Sequence, residues 1–313
     1  MEQVLEDVKR LKREKNAAIL AHYYTVPQVQ DAADFVGDSL ALAQQALKLR
    51  SDLVVMCGVH FMGETVKILA PHKKILLPDM NAGCSLAESC RYGEFKRFVE
   101  EHKGYTVISY VNTSAAVKSL TDICCTSSNA LAIVNSLPRS EKILFAPDRN
   151  LGGYIKSQTG RGDMVVWDGA CHVHEQFSVE KIVELKKQLP NAKILAHPEC
   201  KKAVLVLADA TGSTAALLKY SQTSDSKEFI VATESGIIHQ MQRSSPQKTF
   251  IPAPPIDSTC GCNDCEFMKL ITPEKLYLSL KSESPEVRVD ENLRTKAEKS
   301  IVRMLEISKK LGL

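Results

Sequence analysis

Three stretches of the sequence place cysteines at a near-constant distance from one another. Cys84 and Cys171 lie 87 residues apart, and the run CGCNDC, which holds Cys260, Cys262 and Cys265, follows 89 to 94 residues after Cys171. Three thiolates from three blocks suit a [4Fe–4S] cluster with one iron left open, or a zinc ion with an open fourth position. Either centre would act as a Lewis acid on a bound substrate.

Two further residue types recur with nearly the same period. Short apolar runs lead to His22, Tyr110 and His197, at spacings of 88 and 87 residues. Hydroxyl side chains then begin helix-like segments at Ser39, Ser127 and Ser213, at spacings of 88 and 86 residues. A helix N-terminus offers unpaired N–H groups and the positive end of the helix dipole, so it binds carboxylate or phosphate. The alternative is that these serines are ordinary helix caps.

The segments that carry these residues repeat in one order, with short apolar strands alternating with amphipathic helices. This pattern predicts an α/β fold made of three similar three-layer α/β/α domains with short parallel sheets, related by a pseudo-threefold axis. The predicted domains are 1–84, 85–171 and 172–265, and the helices of 266–313 are expected to pack back on the first. Because ligands bind beyond the carboxyl ends of parallel strands, the three domains would share one central site.

The composition excludes several other classes of protein. The chain has 313 residues and a net charge of +3, from 40 basic and 37 acidic side chains, which is too balanced to indicate a nucleic-acid or membrane partner. Aromatic residues make up 6% of the chain, few for a base-stacking surface. No apolar run approaches the roughly 18 residues of a membrane-spanning helix. The N-terminal segment lacks the apolar centre of a signal peptide, so we expect a cytoplasmic protein.

Ten motifs follow one another along the chain: ILAHYY, DFVGDSLALA, PDMNAGCSLA, YVNTSAAVKSLTDICCTSSNA, FAPDRNLGGYI, DGACHVHEQF, LAHPEC, ATGSTAALL, TESGIIHQM and CEFM. In this order, the motifs resemble those of the quinolinate synthase family. They extend from about residue 17 to about residue 270. The resemblance implies three α/β/α domains around a pseudo-threefold axis. It also implies a transferase that condenses iminoaspartate with dihydroxyacetone phosphate, giving quinolinate, phosphate and water in de novo NAD biosynthesis.

The same resemblance implies an oxygen-sensitive [4Fe–4S] cluster held by three cysteines, with the fourth iron free to bind substrate. Two of the ligands correspond to Cys84 in NAGCSLA and Cys171 in GACHVH, and the third falls in a C-x-x-M motif at Cys265. The repeat period alone favours Cys260, but we follow the motif because a loop insertion easily shifts a period. Cys260 and Cys262 are then extra cysteines, a candidate redox-sensitive pair.

The resemblance also assigns residues of this chain to the substrates. The expected acid–base residues are Tyr24, His197 and Glu199. The residues expected to bind the substrates are His22, Ser39, Tyr110, Asn112, Ser127, His174, His197, Glu199, Ser213 and Thr214. An L-aspartate oxidase or dehydrogenase must supply the iminoaspartate, so we expect functional coupling to such an enzyme.

Three other hypotheses remain open. The first is a different iron–sulfur dehydratase, which would use the same open iron on another hydroxy acid. The second is an iron–sulfur carrier or redox sensor, which would need neither the three serines nor the HPE motif. The third is a zinc protein that uses CGCNDC, and colour would separate it from a brown iron–sulfur protein.

Overall fold

The computed structural model describes residues 2–257 and 263–313, and in this part of the chain three separate four-stranded sheets are formed. The first sheet contains β1 (Ala17–His22), β2 (Phe35–Gly37), β3 (Leu53–Cys57) and β4 (Lys74–Leu76). The second contains β5 (Thr106–Tyr110), β6 (Ile123–Cys125), β7 (Ile143–Ala146) and β8 (Val165–Val166). The third contains β9 (Lys193–Ala196), β10 (Ala210–Thr211), β11 (Glu228–Ala232) and β12 (Thr249–Pro252).

The three sheets share one strand order, and all their neighbouring strands are parallel. The order is β2-β1-β3-β4 in the first, β6-β5-β7-β8 in the second and β10-β9-β11-β12 in the third. The central strands are nearly continuous apolar runs, such as AAILAH in β1, because helices cover both faces of a parallel sheet. The sequence repeat therefore corresponds to three similar α/β/α units, as predicted.

Each sheet is flanked by five helices. The helices of the first unit are α1 (Glu2–Glu14), α2 (Pro27–Ala32), α3 (Ser39–Lys48), α4 (His60–Leu69) and α5 (Ser85–Glu88). Those of the second are α6 (Tyr92–Glu101), α7 (Ala115–Lys118), α8 (Ala130–Ser136), α9 (Arg149–Thr159) and α10 (His172–Glu175). Those of the third are α11 (Val179–Gln188), α12 (Lys202–Leu205), α13 (Thr214–Thr223), α14 (Ile237–Ser244) and α15 (Glu266–Lys269).

Two longer helices follow the third unit and return to the other two. Helix α16 (Pro273–Ser282) packs on α1, and α17 (Glu291–Lys310) packs on α4 of the first unit and on α7, α8 and β6 of the second. The side chain of Ser300 on α17 donates a hydrogen bond to the carbonyl of Lys118, and Oγ of Ser308 accepts one from the side-chain amide of Asn129. Helix α17 thus joins two units, while the domain boundaries at residues 84 and 171 stay a prediction.

The chemistry-bearing residues lie where the first strand of each unit ends. His22 and Tyr110 are the last residues of β1 and β5, and His197 directly follows β9. Side chains beyond the carboxyl ends of parallel strands lie at one edge of the sheet, where α/β proteins bind their ligands. The other cysteines expected in the core are buried: Cys57, Cys124, Cys125 and Cys200.

Candidate active site

One cavity is lined by residues from all three units. The predicted site residues in its wall are His22, Tyr24, Ser39, Cys84, Tyr110, Asn112, Ser127, Cys171, His174, His197, Glu199, Thr214 and Cys265. Ser213 is the one predicted residue that does not line the cavity. It caps α13, where its Oγ accepts a hydrogen bond from the N–H of Ala216 at 3.3 Å, so the helix-cap alternative describes it.

The three cavity cysteines occupy equivalent positions in the three units. Cys84, Cys171 and Cys265 are the residues that immediately precede the one-turn helices α5, α10 and α15. In each case, the backbone N–H groups of the following turn lie near the sulfur and favour its thiolate form. Burial outweighs them: it raises the pKa of Cys84 to about 12 and that of Cys265 to about 11. The three sulfurs are therefore protonated until a cation replaces the protons.

The donor set suits a cluster better than a single ion. A zinc ion with bonds of about 2.3 Å to three sulfurs would hold them about 3.8 Å apart. Cys84, Cys171 and Cys265 do not form a group whose sulfurs all lie within 4.8 Å of one another. In a [4Fe–4S] cluster each thiolate binds a different iron, so the sulfurs stand further apart. The three thiols are therefore not arranged as the ligands of one zinc ion, whereas three separate irons of a cluster do not require so short a distance.

A hydrogen-bonded group of acid–base residues lies beside the thiols. The hydroxyl of Tyr110 donates to Oε1 of Glu199 at 2.6 Å, and the rings of His174 and His197 stack with centroids 4.9 Å apart. Burial opposes ionisation of Glu199, but the neighbouring His174 and the bond from Tyr110 lower its pKa to about 2. Burial lowers the pKa of His197 to about 3, so its imidazole is neutral. The group therefore offers a carboxylate base beside protonated phenol and neutral imidazole.

Tyr24 connects the first and third units at the cavity wall. Its hydroxyl lies 2.8 Å from Oγ1 of Thr214 and 2.8 Å from Oγ1 of Thr233. Its ring meets that of His22 edge-on, with centroids 4.5 Å apart. Burial raises the pKa of the Tyr24 phenol well above its ordinary value, and burial lowers the pKa of His22 to about 3. Both groups are neutral hydrogen-bonding partners near pH 7.

The cavity wall has groups that can bind anions, although they are not lysine or arginine side chains. Ser39 and Thr214 are the first residues of α3 and α13, and Ser127 precedes α8 by three residues. No lysine or arginine is among the described residues that line the cavity. Helix N-termini and neutral donors are therefore the groups available to hold carboxylate or phosphate. The nearest buried ammonium, Lys118, lies behind the wall, 5.4 Å from the ring centroid of Phe61.

The comparison with protein families decides the membership of the chain. The family model described as Quinolinate synthetase A protein matches residues 6–306. The chain belongs to the quinolinate synthase family. A quinolinate synthase from Chloroherpeton thalassium is 54% identical over 306 residues, which cover 98% of this chain and 95% of the relative. Quinolinate synthases from Thermosynechococcus vestitus and Microcystis aeruginosa are each 57% identical over 301 residues, covering 96% of this chain and 94% of each relative.

For this quinolinate synthase family member, the structure adds cavity residues that the sequence did not single out. Glu234, at the end of β11, is fully buried, and its Oε1 lies 3.1 Å from the N–H of Cys265 and 2.7 Å from Nζ of Lys269. Burial raises the pKa of Glu234 to about 7, against the influence of Lys269. The motif TESG holds this residue, but only its neighbour Ser235 fell on the repeat.

Two more residues of the cavity wall were unexpected. Asp38 caps α3 by accepting a hydrogen bond from the N–H of Ala41, and it accepts another from Ser128 Oγ at 2.6 Å. His172 also lines the cavity, with Nδ1 2.8 Å from Oγ of Ser85. Asp38 and His172 are each adjacent in sequence to a predicted site residue. That position identifies a cavity residue only when the packing of the neighbouring unit is known.

The remaining sequence features of the quinolinate synthase family member lie elsewhere. His239, left undecided by the sequence, contacts Asp31 at 2.9 Å and does not line the cavity. Cys260 and Cys262 lie outside the described residues, so the redox-pair hypothesis stays a prediction. Within the described ranges, every helix is too short or too polar to cross a membrane.

Proposed function

We propose that the chain condenses iminoaspartate with dihydroxyacetone phosphate to form quinolinate, as a transferase of de novo NAD biosynthesis. One carbon–carbon bond and one carbon–nitrogen bond form, and phosphate and two water molecules leave. The observation that carries the proposal is the convergence of Cys84, Cys171 and Cys265, one from each unit, on a cavity that also contains an ionised Glu199. The similarity to quinolinate synthases from Chloroherpeton thalassium and Thermosynechococcus vestitus supports the same reaction.

Cys84, Cys171 and Cys265 are the residues that would hold the [4Fe–4S] cluster. When bound, the cluster supplies a Lewis acid at the iron that no cysteine holds, which assists the loss of water from hydroxyl groups. The protein places each sulfur directly before a one-turn helix. The backbone N–H groups of that turn favour the thiolate form that a metal requires.

Substrate binding falls to the helix ends and the neutral donors. Ser39, Ser127 and Thr214 would present hydroxyl and backbone donors to the carboxylates and the phosphate. Asn112 adds a side-chain amide, whose buried Oδ1 has no hydrogen-bond partner among the residues that the structure describes. His22, neutral because burial lowers its pKa to about 3, would donate or accept without adding charge. Holding both substrates in one enclosed cavity converts their meeting into an intramolecular step.

Proton transfer falls to the residues around Glu199. Its carboxylate is ionised and buried, so it can accept a proton from the carbon or nitrogen that becomes the nucleophile. Tyr24 keeps its phenolic proton because burial raises its pKa, and it can donate that proton to a leaving hydroxyl. His197 and His174 stack beside the carboxylate and can relay the proton between these groups.

The substrate supply and the location of the protein are part of the same proposal. Iminoaspartate must come from an enzyme that oxidises L-aspartate, an oxidase or a dehydrogenase, so the two activities would be coupled through this intermediate. We place the reaction in the cytoplasm, with no nucleic-acid or membrane partner, on the balanced charge of the chain.

The test is anaerobic purification of the full-length chain, with iron and sulfide counts, an absorption spectrum and a direct quinolinate assay. We expect a brown protein with about four irons per chain that forms quinolinate. Cys265→Ala should lose the iron and the activity, while the matched control Cys260→Ala should keep both. A brown Cys265→Ala protein with full iron would move the third ligand to Cys260 or Cys262.

Other outcomes would replace the proposed reaction. A colourless protein that contains zinc under strict anaerobiosis would favour the zinc hypothesis. An iron-loaded protein that makes no quinolinate from the two substrates would favour an iron–sulfur carrier, a redox sensor or a different dehydratase. Either result would overturn the assignment of Glu199 and Tyr24 to this chemistry.

A further inference from the structure

A second metal-binding arrangement lies in the same cavity and shares one of the three thiols. The sulfur of Cys171, a ring nitrogen of His174 and a carboxylate oxygen of Glu199 all lie within 4.8 Å of one another. Cys171 and His174 stand three residues apart at the start of α10, so their side chains lie on one side of that turn. Glu199 comes from the loop after β9, in the third unit.

The histidine carries an independent indication of a cation. His174 is only 2% exposed, and among the described residues its Nδ1 has no hydrogen-bond partner. Its other nitrogen, Nε2, lies 3.0 Å from Oγ1 of Thr233, which fixes the orientation of the ring. A histidine that binds a metal almost always forms such a bond through its second nitrogen. The ring of His174 is thus oriented as that of a metal ligand.

The distance between the two best-placed ligand atoms matches a tetrahedral zinc site. Nδ1 of His174 and Oε2 of Glu199 are 3.3 Å apart, but their relative orientation does not meet the geometry of a hydrogen bond. With bonds of about 2.0–2.1 Å at a tetrahedral angle, two zinc ligands stand about 3.3 Å apart. Tyr110 donates to the other oxygen of Glu199, Oε1, which orients the carboxylate.

The ligand types select the class of cation. Sulfur and imidazole ligands suit zinc and related transition-metal ions, whereas magnesium and calcium prefer sites made of oxygen atoms. The three side chains leave a fourth tetrahedral position for water or substrate. Cys171 lies in the cavity wall, so that position can open into the cavity.

We propose that the chain binds one Zn²⁺ ion through Cys171, His174 and Glu199, and that this ion excludes the [4Fe–4S] cluster because both require Cys171. The thiol proton of Cys171 is released to solvent when the ion binds. Cys84 and Cys265 take no part. The zinc site itself is independent of the proposed reaction, whereas the exclusion of the cluster rests on it.

The test is a titration of the full-length, metal-free chain with Co²⁺, a coloured substitute for Zn²⁺, under anaerobic conditions. Cys260→Ser and Cys262→Ser are present throughout, so that the CGCNDC run does not compete for the ion. We expect one Co²⁺ per chain, a thiolate-to-cobalt charge-transfer band, and displacement of Co²⁺ by Zn²⁺. The matched controls Cys84→Ser and Cys265→Ser should keep the band and the affinity.

Two variants remove parts of the site. Thr233→Val deletes the partner of Nε2, together with one contact of the Tyr24 hydroxyl, and should lower Co²⁺ affinity by roughly 10–100-fold. His174→Phe keeps a ring of similar size and should lower the affinity by more than that, with a circular dichroism spectrum that shows the fold intact. Loss of the band in Cys84→Ser and Cys265→Ser would overturn the proposal in favour of a three-thiol site. Unchanged binding in both Thr233→Val and His174→Phe would also overturn it.

A second measurement tests the exclusion of the cluster. Zn²⁺ added before iron and sulfide should reduce the iron taken up by the otherwise unaltered chain, and should have little effect on uptake by His174→Phe. Equal iron uptake with and without zinc would overturn the exclusion. If the chain takes up no iron at all, the proposed function fails, while the Co²⁺ titration still decides the zinc site.

Discussion

The replacement Glu234→Ala tests how the third cavity thiol is held in place. The buried carboxylate of Glu234 accepts hydrogen bonds from the N–H of Cys265 at 3.1 Å and from the N–H of Gly236 at 2.8 Å. It also pairs with Nζ of Lys269 at 2.7 Å. Lys269 in turn donates to the carbonyl of Tyr24 at 2.9 Å. The replacement therefore releases the turn of Cys265 from Glu234, while Lys269 still connects that turn to Tyr24 of the first unit.

The expected cost follows from these contacts. Two N–H groups lose their acceptor, and each buried unsatisfied group costs about 1–3 kcal/mol. Breaking a buried ion pair by removing one partner costs about 3–5 kcal/mol. The side chain of Lys269 is 24% exposed and keeps its bond to Tyr24. The cost of breaking its ion pair with Glu234 therefore lies at the lower end of that range. With every contribution taken at its lower end, we expect the free energy of unfolding to fall by about 5 kcal/mol.

The assay is urea unfolding of the metal-free full-length chain, with the denaturant slope compared between variants. The control is Glu228→Ala, at the start of the same strand, where a partly exposed side chain should matter by about 0.5 kcal/mol or less. Iron retained per chain after reconstitution should fall in Glu234→Ala and not in Glu228→Ala. A loss of stability below about 1 kcal/mol, with full iron retention, would refute the reasoning.

Two further predictions concern charged residues away from the cavity wall. Hydrogen bonds from Lys15 and Lys74 lower the pKa of Glu283 from 4.5 to about 2, so its contribution is complete above pH 4.5 and is lost as the pH falls towards 2. In Glu283→Gln, the urea midpoint of unfolding should depend less on pH between about pH 4.5 and 2. The replacement should cost less than about 1 kcal/mol at pH 7, because solvent screens these ion pairs. The same pH dependence in both proteins would contradict this prediction. Lys118→Met removes a fully buried ammonium that donates to the carbonyls of Val111 and Thr113, on either side of Asn112. Removal of the buried charge should offset most of the stability lost with these hydrogen bonds. Displacement of Asn112 should lower kcat/KM for quinolinate formation by roughly 100-fold. An unchanged kcat/KM would exclude a role of Lys118 in positioning Asn112.

Most of the fold could be predicted from the sequence because each unit repeats the same pattern of apolar strands and amphipathic helices. Apolar runs such as AAILAH can only be buried strands in a parallel sheet, and their spacing predicted three such sheets. His22 and Tyr110 could be placed at the cavity because each ends the first strand of its unit. Long-range packing was less accessible: nothing in the spacing indicated that α17 would contact both the first and the second unit.

The candidate site was predictable where a motif repeats and not where partners lie far apart in the sequence. The motif favoured Cys265 over Cys260, and Cys265 does line the cavity, although its role as a ligand stays a prediction. Glu234 and Lys269 escaped notice because their pairing joins residues 35 positions apart through the tertiary fold. Ser213 matched the repeat but acts as a helix cap, since spacing fixes the backbone position and not what a side chain faces.

The distribution of the three cavity thiols also determines when a shared centre can be assembled during synthesis. Cys84 leaves the ribosome 181 residues before Cys265, and no stretch of the nascent chain shorter than that span carries the whole set. Until the turn of Cys265 is secured to Glu234, the earlier thiols are open to solvent, oxygen and stray ions. Any centre held by all three must therefore be delivered after translation has passed residue 265. The supply of metal at that moment then decides which centre the new chain receives.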